Sequence, residues 1–258
     1  MISELASIHA DAKIGKNVEI GPFTAISGDV EIGEGTKIHS HVSIMDGARI
    51  GKHCEIYPGA VISAVSQDLK YEGEYTTAEI GDHTIIRECV TIHRATKDRW
   101  KTVVGHHCLL MGYVHVAHDC FIGNHCILAN YTGLSGHNTL EDYVILEGKV
   151  GTQQFVHIGT HSFIGGGSLV RKNVPPYVKG AREPLTFAGV NAIGLRRRGF
   201  SDEAVAQIED AYRIIFVQNK NITKALAIVE KEIPDSAEKK LILDFIRSSE
   251  RGIMRGPL

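Results

Sequence analysis

The chain has 258 residues, 43 % of them hydrophobic and 22 % charged, with a formal net charge of −2. That length holds one large domain or two modest ones, and the near-neutral charge argues against a general nucleic-acid coat. The first residues, Met1-Ile-Ser-Glu-Leu-Ala6, lack the basic stretch and apolar run of a signal peptide. No segment reaches the apolar length of a membrane span, so stable membrane insertion is not expected and the cytoplasm is the expected location.

From Ile8 the chain reads in sixes. Ile8, Ile14, Ile20, Ile26, Ile32, Ile38, Ile44, Ile50, Ile56 and Ile62 form an unbroken series, resumed at Ile80, Ile86 and Ile92 and again from Val104 to Leu146. Thr152 is the one polar break before Ile158, Ile164 and Val170. Two interruptions, near 63–78 and 97–101, keep the phase. Four places after each aliphatic comes a small or β-branched residue, and four of the five cysteines (Cys54, Cys108, Cys120 and Cys126) fill this slot. They read as small buried residues rather than a metal set.

A period of six is neither helical nor a simple alternation. It fits a short strand plus a corner, three such units closing a triangular coil of eighteen residues. Stacked coils pair as parallel strands about 4.8 Å apart, and each rung buries its neighbour's face. About nine to ten coils fit before Pro176, a prism roughly 45 Å long by that spacing. Gly and Asn suit the corners. The pattern resembles the hexapeptide-repeat acyltransferases, which implies a left-handed parallel β-helix and a homotrimer. The hand comes from that resemblance, because the general preference for crossovers is right-handed.

The sixes fade after Val174-Pro-Pro-Tyr177. We expect a β-helix over 1–186 and a small α-helical domain over 187–258. Residues 187–200 read as a polar–apolar stretch. Ser201 is expected to cap a helix whose first turn carries Asp202 and Glu203. Two further helices are expected, over about 223–231 and over 236–251. So small a unit must pack on the prism or on a neighbouring copy.

Residues eighteen apart share a line on the prism. Gly136 therefore lies over His118, with His137 one place on, and Gln153 and Gln154 one coil further. An imidazole with an ordinary pKa near ~6.5 suits proton removal at neutral pH. His118 is the candidate general base, Asp119 its supporting carboxylate, and the Gly136 N–H a candidate oxyanion donor. Many other histidines (His41, His53, His83, His107, His125 and His161) read as exposed corner residues; His118 sits in a different slot and precedes an aspartate.

A closer resemblance covers nearly the whole chain. Gln67-Asp-Leu-Lys-Tyr-Glu-Gly-Glu74, Ile86-Arg-Glu-Cys-Val-Thr-Ile-His-Arg94, His115-Val-Ala-His-Asp-Cys120, Val174-Pro-Pro-Tyr177 and Gly189-Val-Asn-Ala-Ile-Gly-Leu-Arg-Arg-Arg-Gly-Phe200 resemble the UDP-N-acetylglucosamine acyltransferase family. The resemblance implies transfer of an R-3-hydroxyacyl group from acyl carrier protein to the 3-hydroxyl of UDP-N-acetylglucosamine, the first step of lipid A synthesis, with no cofactor and no metal. It assigns general-base catalysis to His118, support to Asp119 and the oxyanion N–H to Gly136. Gln67, Asp68 and Lys70 would bind the sugar and phosphates. His115, His137 and Gln154 would line the sugar and pantetheine groove. Asn191, Arg197 and Arg198 would hold the uridine diphosphate end, and Gly166 would gauge acyl length. Gln153-Gln154 departs from the family's His-Gln, and Ile193 stands where an acidic residue is expected.

Three alternatives stay open at this level. One is N-acylation of a 3-amino UDP-sugar by the same base. Another is a γ-type carbonic anhydrase, suggested by His115 and His118. The third is a solenoid without catalysis. Arg171, Lys172, Lys179, Arg182 and the run Arg196–Arg198 form a candidate basic patch for the acidic carrier protein.

Overall fold

The computed structural model describes residues 1–219 and 221–257. The expected period appears directly as three long parallel sheets wrapped round one axis. The first face runs from Ser7–Ile8 through every third strand to Leu169–Val170, nine strands in all. The second runs from Lys13–Ile14 to His157–Ile158, with eight strands. The third runs from Glu19–Ile20 to Phe163–Ile164, and Val178–Ala181 and Thr186–Val190 extend it to ten. Register between neighbouring coils is eighteen residues wherever no loop intervenes, as in Phe121↔Thr139 and Ile127↔Ile145.

The sixth-place aliphatics fill the interior. Ile38, Ile56, Ile86, Leu110, Leu128 and Leu146 are fully buried. Thr152 is buried among them, and its hydroxyl accepts the Ser135 N–H at 3.1 Å. The small slot has a polar use as well. Cys54, Cys108, Cys120 and Cys126 direct their thiols at carbonyls one coil away, at 3.1 to 3.2 Å, while Thr36 and Thr84 donate hydroxyl bonds in the same way at 2.9 and 2.7 Å. Burial pushes the Cys54 thiol up to about 11 and the Cys120 thiol up to about 12.

The corners differ from expectation. The left-handed residue of each corner is only sometimes Gly or Asn. His53, His83, His107, His125, Tyr143 and His161 all have φ between 53° and 61°. Their rings stack coil upon coil, with centroids 4.7 to 5.1 Å apart. A left-handed residue with a side chain costs ~1–2 kcal/mol, and stacking on both neighbours offsets it. His161 is also not an exposed corner. It is half-buried beneath Phe200, and burial, then the Arg198 charge, lowers it to about 4.

The prism is closed at its C-terminal end. Val178–Ala181 pairs parallel with Phe163–Ile164 and antiparallel with Thr186–Val190. The stretch 187–200, a polar–apolar run in the sequence, thus supplies most of a strand and then helix α1 (Ala192–Arg197). Strand pairing to an edge that the hexad pattern does not specify decides its first part. Ser201 accepts the Ala204 N–H at 3.1 Å and caps helix α2 (Asp202–Tyr212), which runs on as a π-helical turn to Gln218. Helices α3 (Ile222–Glu232) and α4 (Ala237–Ser248) follow. Helix α4 is shorter than expected: Ser236 caps it from outside, and the chain turns away at Ser249. The helices pack on the prism itself. The buried Tyr212 donates its hydroxyl to the Pro176 carbonyl at 2.6 Å, and Phe245 lies on His157.

Candidate active site

The corner between the first and second faces carries the chemistry. Strand His115–Val116 ends at the first face, Phe121–Ile122 begins the second, and Ala117-His118-Asp119 makes the turn. Asp119 takes the left-handed slot (φ 60°) and is fully buried. Its carboxylate accepts the Thr96 hydroxyl at 2.8 Å, the Thr96 N–H at 3.2 Å, the Arg99 N–H at 3.0 Å and His118 Nδ1–H at 2.8 Å. Burial alone would raise this carboxyl, but the bonds from His118, Thr96 and Arg99 hold it below the usual carboxylate range. An ionised Asp119 fixes the tautomer of His118, so Nε2 is the nitrogen left to accept a proton.

That nitrogen faces a cleft of about 870 Å³ lined by Gln67, Asp68, Lys70, His115, Gly136 and Gln154, among others. Asp68 Oδ2 lies 3.7 Å from His118 Nε2. Gly136 stacks on His118 as the eighteen-residue spacing requires. A Cβ at this position would stand 2.4 Å from His118 Cε1, so only glycine leaves the ring in place. Among the described residues, the Gly136 N–H has no acceptor. A base and a free amide donor therefore flank one opening.

Three more histidines surround the base. His115 bonds Thr91 Oγ1 at 2.7 Å, and burial, then the charge of His118, lowers its pKa. His137 meets the His118 ring edge to face at 5.1 Å and stacks on Phe155. Its Nδ1 lies 3.0 Å from Asp98 Oδ2 but off the hydrogen-bond direction, and burial lowers its pKa. His93 packs edge-on against His115, and burial, then His115 and His118, lowers it to about 4. The lowered pKa values make each of these rings a poorer holder of a proton beside His118. Asp68, His118 and His137 each offer one atom within 4.8 Å of the others. The metal alternative had rested on His115 and His118 instead.

The first interruption of the hexads lines the cleft, and the second braces it from behind. Lys97 N–H donates to Glu74 at 2.9 Å, and Lys97 Nζ to Glu72 at 3.1 Å, so each loop clasps the other. The first loop presents Gln67, Asp68 and Lys70; the second supplies Thr96 and Arg99 beneath Asp119. Sequence reading missed Thr96, Arg99 and His93. The signal for the first two was the phase-keeping second interruption itself, since an insertion that preserves register has a local purpose.

Other expected residues stand elsewhere in this copy. Gly166 lies outside the cleft lining, with its N–H donating to Glu147 at 3.0 Å. Asn191 donates its side-chain amide to the His161 carbonyl at 2.9 Å, and Arg198 lies over the Tyr143 ring at 5.0 Å. Both belong to the corner between the second and third faces. The basic patch is likewise divided: Arg171 lines the cleft and pairs with Glu183, whereas Arg196 bonds Asp202 at 2.7 Å.

This fold and site define a hexapeptide-repeat acyltransferase. Models of the bacterial transferase hexapeptide match residues 11–44, 29–64 and 101–136, and the model described as UDP N-acetylglucosamine O-acyltransferase, domain 2, matches 173–254. An acyl-[acyl-carrier-protein]–UDP-N-acetylglucosamine O-acyltransferase from Thiobacillus denitrificans is 43 % identical over 98 % of this chain and 99 % of its own. The solved UDP-N-acetylglucosamine acyltransferase of Bacteroides fragilis 9343 is 50 % identical, with a TM-score of 0.98 over 99 % of this chain and 100 % of its own. That of Francisella novicida is 40 % identical, with a TM-score of 0.95 over 100 % of this chain and 95 % of its own. The chain belongs to the UDP-N-acetylglucosamine O-acyltransferase family, and its fold is the left-handed parallel β-helix followed by a small helical region.

Proposed function

We propose that this chain moves an R-3-hydroxyacyl group from acyl carrier protein to the 3-hydroxyl of UDP-N-acetylglucosamine, the opening step of lipid A synthesis, in the cytoplasm. The observation that carries the mechanism is the His118–Asp119 bond of 2.8 Å, with Nε2 turned to the cleft beside the unpaired Gly136 N–H. Nε2 takes the proton of the sugar hydroxyl as the oxygen attacks the thioester carbonyl. The carbonyl electrons move to the oxygen, and the Gly136 N–H holds the resulting oxyanion. The intermediate then collapses, the C–S bond breaks, and the carrier's thiolate takes the proton back from Nε2. The buried Asp119 carboxylate stabilises the transient imidazolium.

Asp68 and Lys70, with Gln67, reach the sugar and phosphates from the loop over the cleft, and His115, His137 and Gln154 line its walls. Asn191, Arg197 and Arg198 act on the uridine diphosphate from a neighbouring copy in a homotrimer. Their position at a different corner supports this, since one copy alone leaves them away from its own cleft. In that assembly Arg171 and the Arg196–Arg198 run of a neighbouring copy dock the acidic carrier protein together. Among the described residues, no helix is long and apolar enough to cross a membrane.

The test is direct. Purified protein is supplied with UDP-N-acetylglucosamine and 3-hydroxyacyl carrier proteins of graded length, and products are weighed by mass spectrometry. A product heavier by one hydroxyacyl group is the expected result. Transfer only to a 3-amino acceptor would move the assignment to the N-acyl reaction.

A further inference from the structure

Three side chains from separate parts of the chain converge at the reactive corner. His118 comes from the turn of one coil, His137 from the turn of the next, and Asp68 from the loop inserted between Ala64 and Thr77. Each offers one ligand atom within 4.8 Å of the other two. His118 and His137 are 4 % and 7 % exposed, so neither is a solvated surface histidine. Asp68 Oδ1 accepts the Lys70 N–H at 2.9 Å, while Oδ2 stands 3.7 Å from His118 Nε2. One oxygen therefore shapes the loop and the other faces the base. The buried Nδ1 of His137 has no hydrogen-bond partner among the described residues. Its Nε2 lies toward the base, 3.9 Å from Asp119 Oδ2.

The surroundings are those of a metal site. A histidine that ligates through one ring nitrogen is ordinarily held by a carboxylate or carbonyl at the other. His118 Nδ1 bonds Asp119 at 2.8 Å, and His137 Nδ1 faces Asp98 Oδ2 at 3.0 Å. Asp119 is itself held by Thr96 and Arg99. Three carboxylates thus surround two imidazoles, which favours a cation between them. Two nitrogens and one oxygen suit zinc, whereas magnesium and calcium prefer oxygen donors. Zinc bonds of about 2.0–2.2 Å set tetrahedral donors about 3.4 Å apart. The Asp68–His118 pair is already near that separation, and shifts of roughly 1 Å complete the set. The fourth position opens on the cleft, the pattern of three protein ligands with one exchangeable site.

We propose that Asp68, His118 and His137 form a Zn²⁺ site, and that the bound ion reversibly inhibits the enzyme by competing with the sugar acceptor. The binding stands on the geometry alone; the inhibition rests on the acyl-transfer reading. Turnover itself draws on no metal. A ring bound to zinc through Nε2 has no lone pair left to accept a proton. The ion also fills the place where the reacting hydroxyl must meet the base. Free zinc therefore halts transfer, and a chelator restores it.

The experiment begins with full-length protein freed of metal by a chelator. It is titrated with Co²⁺, whose visible absorption reports a site of low coordination number, and the Co²⁺ is then displaced with Zn²⁺. One ion per chain is expected, and UDP-N-acetylglucosamine should expel it. Asp68→Ala, on the loop, should weaken Co²⁺ by about tenfold or more. So should His137→Asn, since asparagine tolerates the left-handed φ of 62° but is a poor ligand. In the transfer assay the chelated wild type should turn over fully. Added Zn²⁺ should raise the apparent KM for UDP-N-acetylglucosamine and leave kcat unchanged. Absence of the absorption, binding that both variants retain, or bound Zn²⁺ that leaves turnover unchanged overturns the proposal and leaves the acyl-transfer reading standing. Co²⁺ that the nucleotide sugar does not expel sits elsewhere, as on the stacked histidines, and overturns it too. Turnover lost on chelation and regained with Zn²⁺ overturns the inhibitory role. Wild type that binds Co²⁺ but, free of metal, transfers from no donor overturns the acyl-transfer reading, and the inhibition with it, while the metal site stands.

Discussion

Histidines stand at all three corners of the prism, and only one corner is built as a reaction site. At the corner between the second and third faces, His53, His83, His107, His125 and His161 occupy the left-handed slot and stack with Tyr143 in a single pile. At the corner between the first and second faces the left-handed slot holds Asp119, and the histidine stands one residue earlier. That displacement turns the ring from the pile to the cleft and places its Nδ1 on a buried carboxylate. Two inserted loops then cover one corner and leave the other bare. Residue type alone does not separate the two sets; slot, neighbour and insertion do.

The comparison breaks most sharply under substitution. His118→Ala should lower kcat by about 10²–10⁴-fold, the range of general-base removal, while the trimer proposed above elutes unchanged in size exclusion. His53→Ala at the plain corner, three coils and more from Tyr143 and Arg198, should leave kcat and both KM values at wild-type level. Equal loss in the two variants would mean that the whole surface, rather than one corner, supports turnover. Gly136→Ala tests the same corner from above. The added methyl falls 2.4 Å from His118 Cε1 and must displace the base or the backbone that holds the amide. We expect a fall in kcat of about 10²–10³-fold, the loss that follows removal of an oxyanion donor, with native circular dichroism.

Most of the prism was legible because its period is enforced rung by rung. A slip of one residue would carry Ile56 or Leu128 from the interior to the surface, so the phase survives both insertions and predicts that Gly136 covers His118. The support beneath Asp119 was hidden for the opposite reason. Thr96 and Arg99 belong to an insertion with no period, and backbone N–H groups that satisfy a carboxylate leave no trace in residue type. The strand Thr186–Val190 was missed because its partner is a sheet edge that exists only once the coils are stacked. The left-handed histidines were unexpected because local propensity favours glycine, whereas stacking between coils decides the outcome.

The histidines around the base also predict a pH response. His93 is 7 % exposed and is lowered to about 4 by burial first and by His115 and His118 second. The unfolded chain, with an ordinary imidazole near ~6.5, binds the proton more readily. Stability contributed by a neutral His93 is therefore present above about pH 6.5 and is lost as pH falls toward about 4. The full difference is about 3 kcal/mol. Urea unfolding followed from pH 7 down to pH 4 should show a falling midpoint, and His93→Gln should flatten that slope. An unchanged slope in the variant would show that His93 is not the group responsible.

The smallest effect sharpens the account of the plain corner. His125 has φ of 56° and stacks on His107 at 5.0 Å and on Tyr143 at 4.7 Å. His125→Ala removes both stacks and keeps the left-handed strain. His125→Gly removes both stacks and relieves the strain as well, at some cost in unfolded-chain entropy. Since a left-handed residue with a Cβ costs ~1–2 kcal/mol, the glycine variant should be the more stable of the two by about 1 kcal/mol. Wild type should be comparable to the glycine variant if stacking offsets strain, each ring pair contributing about 0.5–1.5 kcal/mol. Parallel thermal melts of the three proteins measure both differences. If alanine and glycine melt together, the left-handed corners are not strained, and the stacked rings would need another reason to be there. If wild type melts well above both, stacking exceeds what the backbone requires, and the pile acts as a brace along the prism that keeps the reactive corner in register.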